Sequence, residues 1–175
     1  YYKNINTPLI TSGDCEGSGE QFTISTLLKN NISEIPQNDK GDIDYDKDFF
    51  KEKVGLTVSG QLHAETYASG LGDVYTFGPT FRAEKSNTSR HLAEFWMLEI
   101  ESAFMDLDDL MNISEDYIKY VISEVLNNNM SDLQILQNIK GTGREDLIAN
   151  LRNTIDSDFI RISYSDVINI LEEDI

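Results

Sequence analysis

The sequence predicts an α+β fold in which an antiparallel sheet is flanked by helices. Two runs, 74–84 and 94–104, alternate apolar and polar residues as strands do, and the polar turn between them makes a long hairpin. Apolar residues then recur at helical spacing through the second half of the chain. Because 175 residues with 39% hydrophobic content can bury one core and no Pro-rich or Gly-rich linker interrupts them, we predict a single domain.

The elements before the hairpin are predicted to be short. A strand at 22–24 is followed by a long polar stretch, 29–50, which we expect to form a surface loop. A second strand is predicted at 56–59, and a helix at 60–71 then leads into the hairpin.

Helices dominate the prediction after the hairpin. Ser131 and Ser165 are expected N-caps, because a serine hydroxyl there can accept a hydrogen bond from a first-turn N–H group. The predicted elements are helices from Asp106 onward, at 131–139 and at 145–155, a strand at 159–164, and a last helix ending at Leu171.

The formal net charge of −17 limits the partners of the chain's surface. From Glu99 onward, 17 acidic side chains stand against 5 basic ones, which is typical of a solvated acidic helical face and repels phosphate backbones. Binding of nucleic acid would need a narrow local site or a basic module elsewhere. No apolar run approaches the ~18 residues of a membrane span, and the single cysteine, Cys15, suits a reducing compartment.

Several short motifs predict nothing by themselves. The glycine-rich stretches at 16–20 and 141–144 lack the lysine or the preceding strand of a phosphate-binding loop. His63, His91 and Cys15 do not have the spacing of metal ligands, so we predict no zinc site.

The hairpin carries a more informative pattern. Alternate residues of a strand share a face, so Arg82 and Glu84 point together on one strand. Phe95, Met97 and Glu99 point together on the returning strand. An arginine can grip a phosphate with its fork of donors, and a phenylalanine ring can stack on a purine. This face therefore predicts a nucleoside triphosphate held on a sheet.

The turn of the hairpin extends the pattern. Arg90 and His91 lie there, within reach of a polyphosphate tail. The alternative interpretation is structural: Arg82 and Glu99 form a cross-strand ion pair, and Phe95 only packs beside them.

Four segments resemble one family. FRAEKSNTSRHLAEFWMLEIE, at 81–101, is similar to the second signature motif of class II aminoacyl-tRNA synthetases in its asparaginyl form. TPLITSGDCEGSGEQF, at 7–22, resembles the first motif and the adjoining mobile loop. DYDKDFF at 44–50 and LTVSGQLHAETYA at 56–68 resemble the substrate-binding segment. Aspartyl members of the family share much of the hairpin.

The resemblance implies an ATP site on the hairpin. Arg82 matches the arginine that binds the ATP α-phosphate and the substrate carboxylate, and it is the implied catalytic residue. Glu84 matches a residue beside the adenine and the tRNA acceptor end, and Phe95 matches the ring under the adenine. His91 matches a contact to the γ-phosphate, with Arg90 beside it.

The resemblance also implies an amino-acid site and a dimer. Glu16 and Gln61 match contacts to the amino acid, and Pro8 matches the proline at the dimer interface. Ala64 stands where aspartyl members carry a lysine that meets the substrate carboxylate. Without that cation, Glu99 can accept a hydrogen bond from a substrate amide, so a neutral asparagine side chain fits better than aspartate.

Specificity is expected to depend on one face of the predicted helix at 60–71. Gln61, Ala64 and Glu65 share that face, because they are three and four residues apart.

The implied function is ATP-dependent attachment of asparagine to tRNA(Asn) through asparaginyl adenylate, with Mg²⁺ at the pyrophosphate. The family's third motif and its anticodon-binding barrel have no counterpart here, so 1–175 is expected to be the front part of a catalytic domain. We expect the activity of a full-length homodimeric enzyme, in the cytoplasm or alternatively in an organelle with its own translation, and not of this chain alone.

Two other functions remain open. A related asparagine synthetase of the same fold would apply adenylate chemistry to aspartate, which the absence of a lysine at Ala64 disfavours. A catalytically silent relative that dimerises or binds RNA would be expected to lose Arg82, Phe95 or Glu16, and all three are present.

Overall fold

A computed structural model describes residues 1–13, 15, 21–28, 31–86, 88–141 and 143–173. These residues form two compact units, Tyr1–Phe104 and Met105–Ile175, each with its own internal packing. The α+β fold class is confirmed. The assignment of both units to one domain stays a prediction.

In its described residues, the first unit contains two three-stranded sheets, one α-helix and two short 3₁₀ helices, Ile32–Glu34 and Tyr45–Lys47. The strands and the α-helix are β1 (Lys3–Asn4), β2 (Ile10–Thr11), β3 (Thr23–Ile24), β4 (Val54–Leu56), α1 (Gln61–Leu71), β5 (Asp73–Phe81) and β6 (Glu94–Ser102). In the larger sheet β1 pairs in parallel with β5, and β5 pairs antiparallel with β6; in the smaller sheet β4 lies between β2 and β3.

The predicted hairpin is confirmed. Its register runs from the pair Asp73 and Ser102 to the pair Phe81 and Glu94. One further backbone bond, from Arg82 N to the carbonyl oxygen of residue 93 at 3.0 Å, carries the pairing past the end of β5. Arg82 is therefore held at the open end of the hairpin, beside the turn.

The two faces of the hairpin differ in burial. Helix α1 covers one face, where Ala64 and Ala68 pack with Ile5 and Val74 in a small core. Fully buried alanines let the helix backbone come close to the sheet, which explains the two small side chains on this side of α1. The helix predicted at 60–71 is confirmed within one residue.

The strand predicted at 56–59 is wrong in its bounds. Pairing in β4 ends at Leu56. The backbone of Thr57 makes one bond to each of two other segments: its N–H donates to the carbonyl oxygen of Leu9 at 2.8 Å, and its carbonyl oxygen accepts from Phe81 N at 2.9 Å. The Thr57 Oγ1 hydroxyl donates to the carbonyl oxygen of Ser59 at 2.6 Å and accepts from the Ser59 N–H at 3.3 Å. Such local side-chain bonds compete with a strand and turn the backbone toward α1.

A buried aspartate anchors the polar loop that precedes β4. Asp48 is 2% exposed. Its carboxylate accepts hydrogen bonds from Ser25 Oγ at 2.6 Å, from Thr26 N at 3.0 Å and Oγ1 at 3.2 Å, and from Phe50 N at 3.1 Å. These bonds, first among them that from Ser25, lower the pKa of Asp48 below its ordinary value of 3.8.

Acid is expected to loosen this loop. Because the pKa of Asp48 is lowered in the folded state, the carboxylate stabilises the fold at pH values above 3.8. That contribution to stability is lost as the pH falls through the lowered pKa of the folded state. Asp48→Asn should lower the thermal unfolding midpoint of the full-length protein at pH 7 and flatten its dependence on pH between about 5 and 2. Asp46→Asn, at an exposed neighbour, is the control, and equal pH profiles for both variants would contradict this role.

The second unit consists of helices. They are α2 (Leu107–Asn128), α3 (Met130–Gln137), α4 (Leu147–Asp156) and α5 (Tyr164–Glu173). Asp106 caps α2 through a reciprocal pair of bonds with Asp109. Ser131 is not an N-cap, because α3 begins one residue earlier, directly after Asn129. Ser165 lies inside α5, and Ser163 Oγ accepts from Asp166 N instead, at 3.2 Å.

The strand predicted at 159–164 is also wrong. Residues 159–163 belong to no helix or strand, Tyr164 begins α5, and the described part of this unit contains no strand that could pair with them. A carboxylate of α2 takes the place of a neighbouring strand: Phe159 N donates to Glu115 Oε1 at 3.3 Å. Among the described residues, no helix is long and apolar enough to cross a membrane.

Candidate active site

A cavity of about 510 Å³ opens where the hairpin turns. All five residues expected to bind ATP contribute to its lining: Arg82, Glu84, Arg90, His91 and Phe95. The antiparallel register places position 82 across from the start of β6. Residues at the two strand ends and in the turn between them therefore lie close together.

The guanidinium of Arg82 is incompletely satisfied by the protein. Its central carbon lies 5.5 Å from the centroid of the Phe95 ring, and Nη2 makes a long contact of 3.5 Å to the carbonyl oxygen of Val58. Its Nε is buried and has no hydrogen-bond partner among the described residues. A buried N–H group without an acceptor is costly, so this donor is suited to an anion that enters the cavity.

The structure does not support the ion-pair interpretation of Arg82. In the described ranges, ion pairs join Lys119 and Arg161 to Glu115, whereas Arg82 and Glu99 do not pair. Phe95 and Arg82 stack as a cation and a ring, which leaves the forked edge of the guanidinium for another partner.

Local hydrogen bonds order the turn that carries the other cations. The hydroxyl of Thr88 is hydrogen-bonded to His91 Nδ1 and accepts from Arg90 N at 3.3 Å. Arg90 and His91 are exposed and line the cavity. Arg90 and His91 therefore line the same cavity as Arg82 and Glu84, and among the described residues neither of them forms an ion pair.

Phe22 is a lining residue that the sequence argument did not single out. It directly precedes β3, and its carbonyl oxygen accepts from Leu56 N at 2.9 Å. The side chain forms part of the same cavity as Phe95. The sequence did contain one signal for Phe22, because it is the last residue of the segment 7–22 that resembles the first motif and the adjoining loop.

Glu99 lies apart from this cavity. It lines a second cavity of about 290 Å³, beside Gly60 and Thr76. Its carboxylate accepts hydrogen bonds from Ser59 Oγ, from Gly60 N at 2.9 Å and from Thr76 Oγ1 at 3.3 Å.

These bonds make Glu99 a cap for α1 supplied by another element. Gly60, the residue at the N-cap position, has no side chain to do this. Ser59 Oγ continues the cap, because it accepts from Gln61 N at 3.0 Å. A carboxylate at this end also complements the helix dipole. Glu99 thereby holds the first turn of α1, which carries Gln61.

The amide of Gln61 lies between two side chains. Its Oε1 accepts from Cys15 Sγ at 3.2 Å, and its Nε2 donates to Glu65 Oε1 at 2.9 Å. The bond to Glu65 agrees with the predicted shared face of these two residues. Ala64 instead points into the core and is 0% exposed.

Negative charge accumulates around the start of α1. Burial raises the pKa of the Glu101 carboxyl, and the carboxylates of Glu65 and Glu99 raise it further. Such a potential favours a cation such as an ammonium group. Within the described ranges, however, no group of three or more His, Cys, Asp or Glu residues can hold a metal ion.

Two predicted site residues remain outside these contacts. Glu16, with the rest of 16–20, lies outside the described residues. Pro8 is exposed in the segment between β1 and β2. Their roles at the amino acid and at a dimer interface stay predictions.

One class of protein has this arrangement of a hairpin, a cation-lined cavity and a capped helix. The chain belongs to the class II tRNA synthetases (D, K and N), whose family model matches residues 1–174. Its relatives include the asparagine–tRNA ligases of Photobacterium profundum and Protochlamydia amoebophila. The first is 52% identical over 170 residues, which are 97% of this chain and 35% of that protein. The second is 52% identical over 169 residues, again 97% of this chain and 35% of the relative.

Solved structures agree with this assignment. The asparaginyl-tRNA synthetase from Pyrococcus horikoshii complexed with asparaginyl-adenylate matches with a TM-score of 0.71 at 31% identity, over 99% of this chain and 32% of that one. The asparaginyl-tRNA synthetase of Entamoeba histolytica matches with a TM-score of 0.63 at 25% identity, over 98% and 31%. The predicted resemblance to asparaginyl members is confirmed, and the chain spans about a third of its relatives' length.

Proposed function

We propose that the full-length protein containing this chain attaches asparagine to tRNA(Asn) through asparaginyl adenylate. The observation that carries the proposal is the cavity at the hairpin turn, which Arg82 lines together with the Phe95 ring and two further basic side chains. The Arg82 Nε is buried and has no hydrogen-bond partner in the described part of the chain. The names of the relatives supply the amino acid.

In the proposed first step, a carboxylate oxygen of asparagine attacks the α-phosphorus of ATP, and pyrophosphate leaves. Arg82 binds the α-phosphate and neutralises the negative charge that accumulates there. Phe95 stacks on the adenine beside Glu84, and Arg90 and His91 bind the polyphosphate tail. In the second step a ribose hydroxyl of the tRNA attacks the adenylate carbonyl carbon, and AMP leaves.

The amino acid is proposed to bind at the start of α1. Gln61 and Glu16 contact its ammonium group, which the acidic surroundings of Glu65, Glu99 and Glu101 favour. Glu99 is our candidate acceptor for the substrate amide. A carboxylate has about four acceptor sites, and three internal donors leave one of them available.

Three further assignments complete the proposal. ATP is used together with Mg²⁺, for which the described residues contain no group of three or more His, Cys, Asp or Glu side chains. The enzyme is a homodimer with Pro8 at the interface, following the match to the first motif. The cytoplasm is the proposed compartment, because a single cysteine suits reducing conditions.

The test is asparagine-dependent exchange of pyrophosphate into ATP by the full-length protein, followed by charging of tRNA(Asn). We expect both activities with asparagine and neither with aspartate. Release of free asparagine, AMP and pyrophosphate from aspartate, ammonia and ATP would identify a synthetase of the amino acid instead. Absence of all exchange would identify a silent relative, and either result would overturn the proposal.

Glu99→Gln is expected to weaken asparagine binding in the full-length protein more than ATP binding. The substitution removes the negative charge that all three donors face. If the new NH₂ group takes the place of Oε2, it also faces the N–H of Gly60, and that bond is lost. Bonds to a charged group are strong, so we expect the KM for asparagine to rise roughly tenfold, and the preference over aspartate in kcat/KM to fall.

The matched control is Glu94→Gln, at an exposed carboxylate on the other end of the same strand. An increase in the KM for ATP with an unchanged KM for asparagine would assign Glu99 to the nucleotide site and contradict this role.

A further inference from the structure

The amide of Gln61 has a defined orientation because its two partners differ in chemistry. The carboxylate of Glu65 can only accept, so the amide nitrogen faces it, at 2.9 Å. The amide oxygen is thereby turned toward Cys15 Sγ, at 3.2 Å. The thiol is the donor in that contact.

The two bonds differ in their exposure to water. Glu65 is exposed, and a polar pair four residues apart on a helix surface contributes little. Cys15 is only 4% exposed, so water competes poorly for its contact with the amide oxygen. Although a thiol is a weak donor, this sheltered bond is the one that ties the amide to a segment 46 residues away.

An oriented amide matters because of the charge around it. The carboxylates near the start of α1 favour an ammonium group, and a carbonyl oxygen adds an acceptor to them. A flipped amide would present NH₂ to the same ammonium and repel it. A carbonyl oxygen has two lone pairs, so Oε1 can accept from the thiol and from a ligand together.

We propose that Cys15 is a positioning residue that holds the Gln61 amide oxygen toward the ammonium group of the amino-acid substrate. The inference rests on the proposed function and deepens it, since it adds a residue to the amino-acid site that acts through Gln61. Cys15 does not touch the substrate and takes no part in bond making.

The experiment measures the KM for asparagine and for ATP in pyrophosphate exchange by the full-length protein. Cys15→Ala is expected to raise the KM for asparagine roughly 3- to 10-fold, within the range of one lost hydrogen bond, and to leave the KM for ATP unchanged. Cys15→Ser retains a donor and should recover most of the loss. The control is Ser69→Ala, which removes a side-chain bond on the exposed side of the same helix.

A double-mutant cycle separates positioning from packing. In a Gln61→Ala background the amide is gone, so Cys15→Ala should cause no further rise in the KM for asparagine. Equal losses in both backgrounds, or equal losses in the alanine and serine variants, would overturn the inference. If the wild type catalyses normal asparagine-dependent exchange and every Cys15 variant has unchanged KM values, the inference is wrong but the proposed function stands. An inactive wild type would overturn the proposed function and the inference with it.

Discussion

Arg82→Ala in the full-length protein is expected to reduce asparagine-dependent pyrophosphate exchange by roughly a hundredfold or more. Removing a charge-assisted contact that is strongest in the transition state typically costs about 3 kcal/mol or more. The structure adds one observation that supports the proposed role: Arg82 Nε is buried and has no hydrogen-bond partner among the described residues. The loss should appear in kcat as well as in kcat/KM.

Two variants distinguish this role from a general effect of charge. Lys85→Ala removes an exposed cation of the hairpin turn that does not line the cavity, and it should be close to wild type. Arg82→Lys retains the charge but loses the fork and the Nε donor, so it should recover little activity. Near-normal exchange in Arg82→Ala would refute the assigned role.

Ala64→Lys is expected to destabilise the protein severely. The resemblance noted from the sequence implies that a lysine at this position would favour aspartate, provided that the side chain finds room. Ala64 is 0% exposed and packs against Ile5, Ala68 and Val74, so a lysine there must either bury its ammonium or displace the core. An uncompensated buried charge costs on the order of 3–5 kcal/mol, a large share of the stability of a typical domain.

Thermal unfolding of the full-length protein measures this effect. Ser69→Lys places the same side chain on the exposed face of α1 and should leave the unfolding midpoint nearly unchanged. A stable Ala64→Lys variant with increased kcat/KM for aspartate would show that the lysine reaches the substrate pocket. That result would contradict the expected destabilisation and would support position 64 as a determinant of amino-acid specificity.

The sequence by itself determined the hairpin, the helix that follows β4 and five of the residues that line the cavity at the hairpin turn. Period-two alternation on both sides of a polar turn predicts which side chains of each strand share a face. Arg82 and Phe95 then had to meet, because position 82 continues the pairing opposite the start of β6. These features depend on local pattern and on neighbours within one hairpin.

Only the tertiary structure decided the features that join distant segments. The stretch 159–163 has the composition of a strand, but its backbone N–H at Phe159 bonds to a carboxylate of α2 in place of a strand. The sequence predicts a substrate contact or an ion pair with Arg82 for Glu99, whereas the structure shows its carboxylate accepting from Gly60 N at the start of α1, 39 residues away. Cys15 contacts Gln61 across 46 residues. A local pattern cannot predict such bonds, because a side chain's partner depends on which distant backbone the fold brings within about 3 Å.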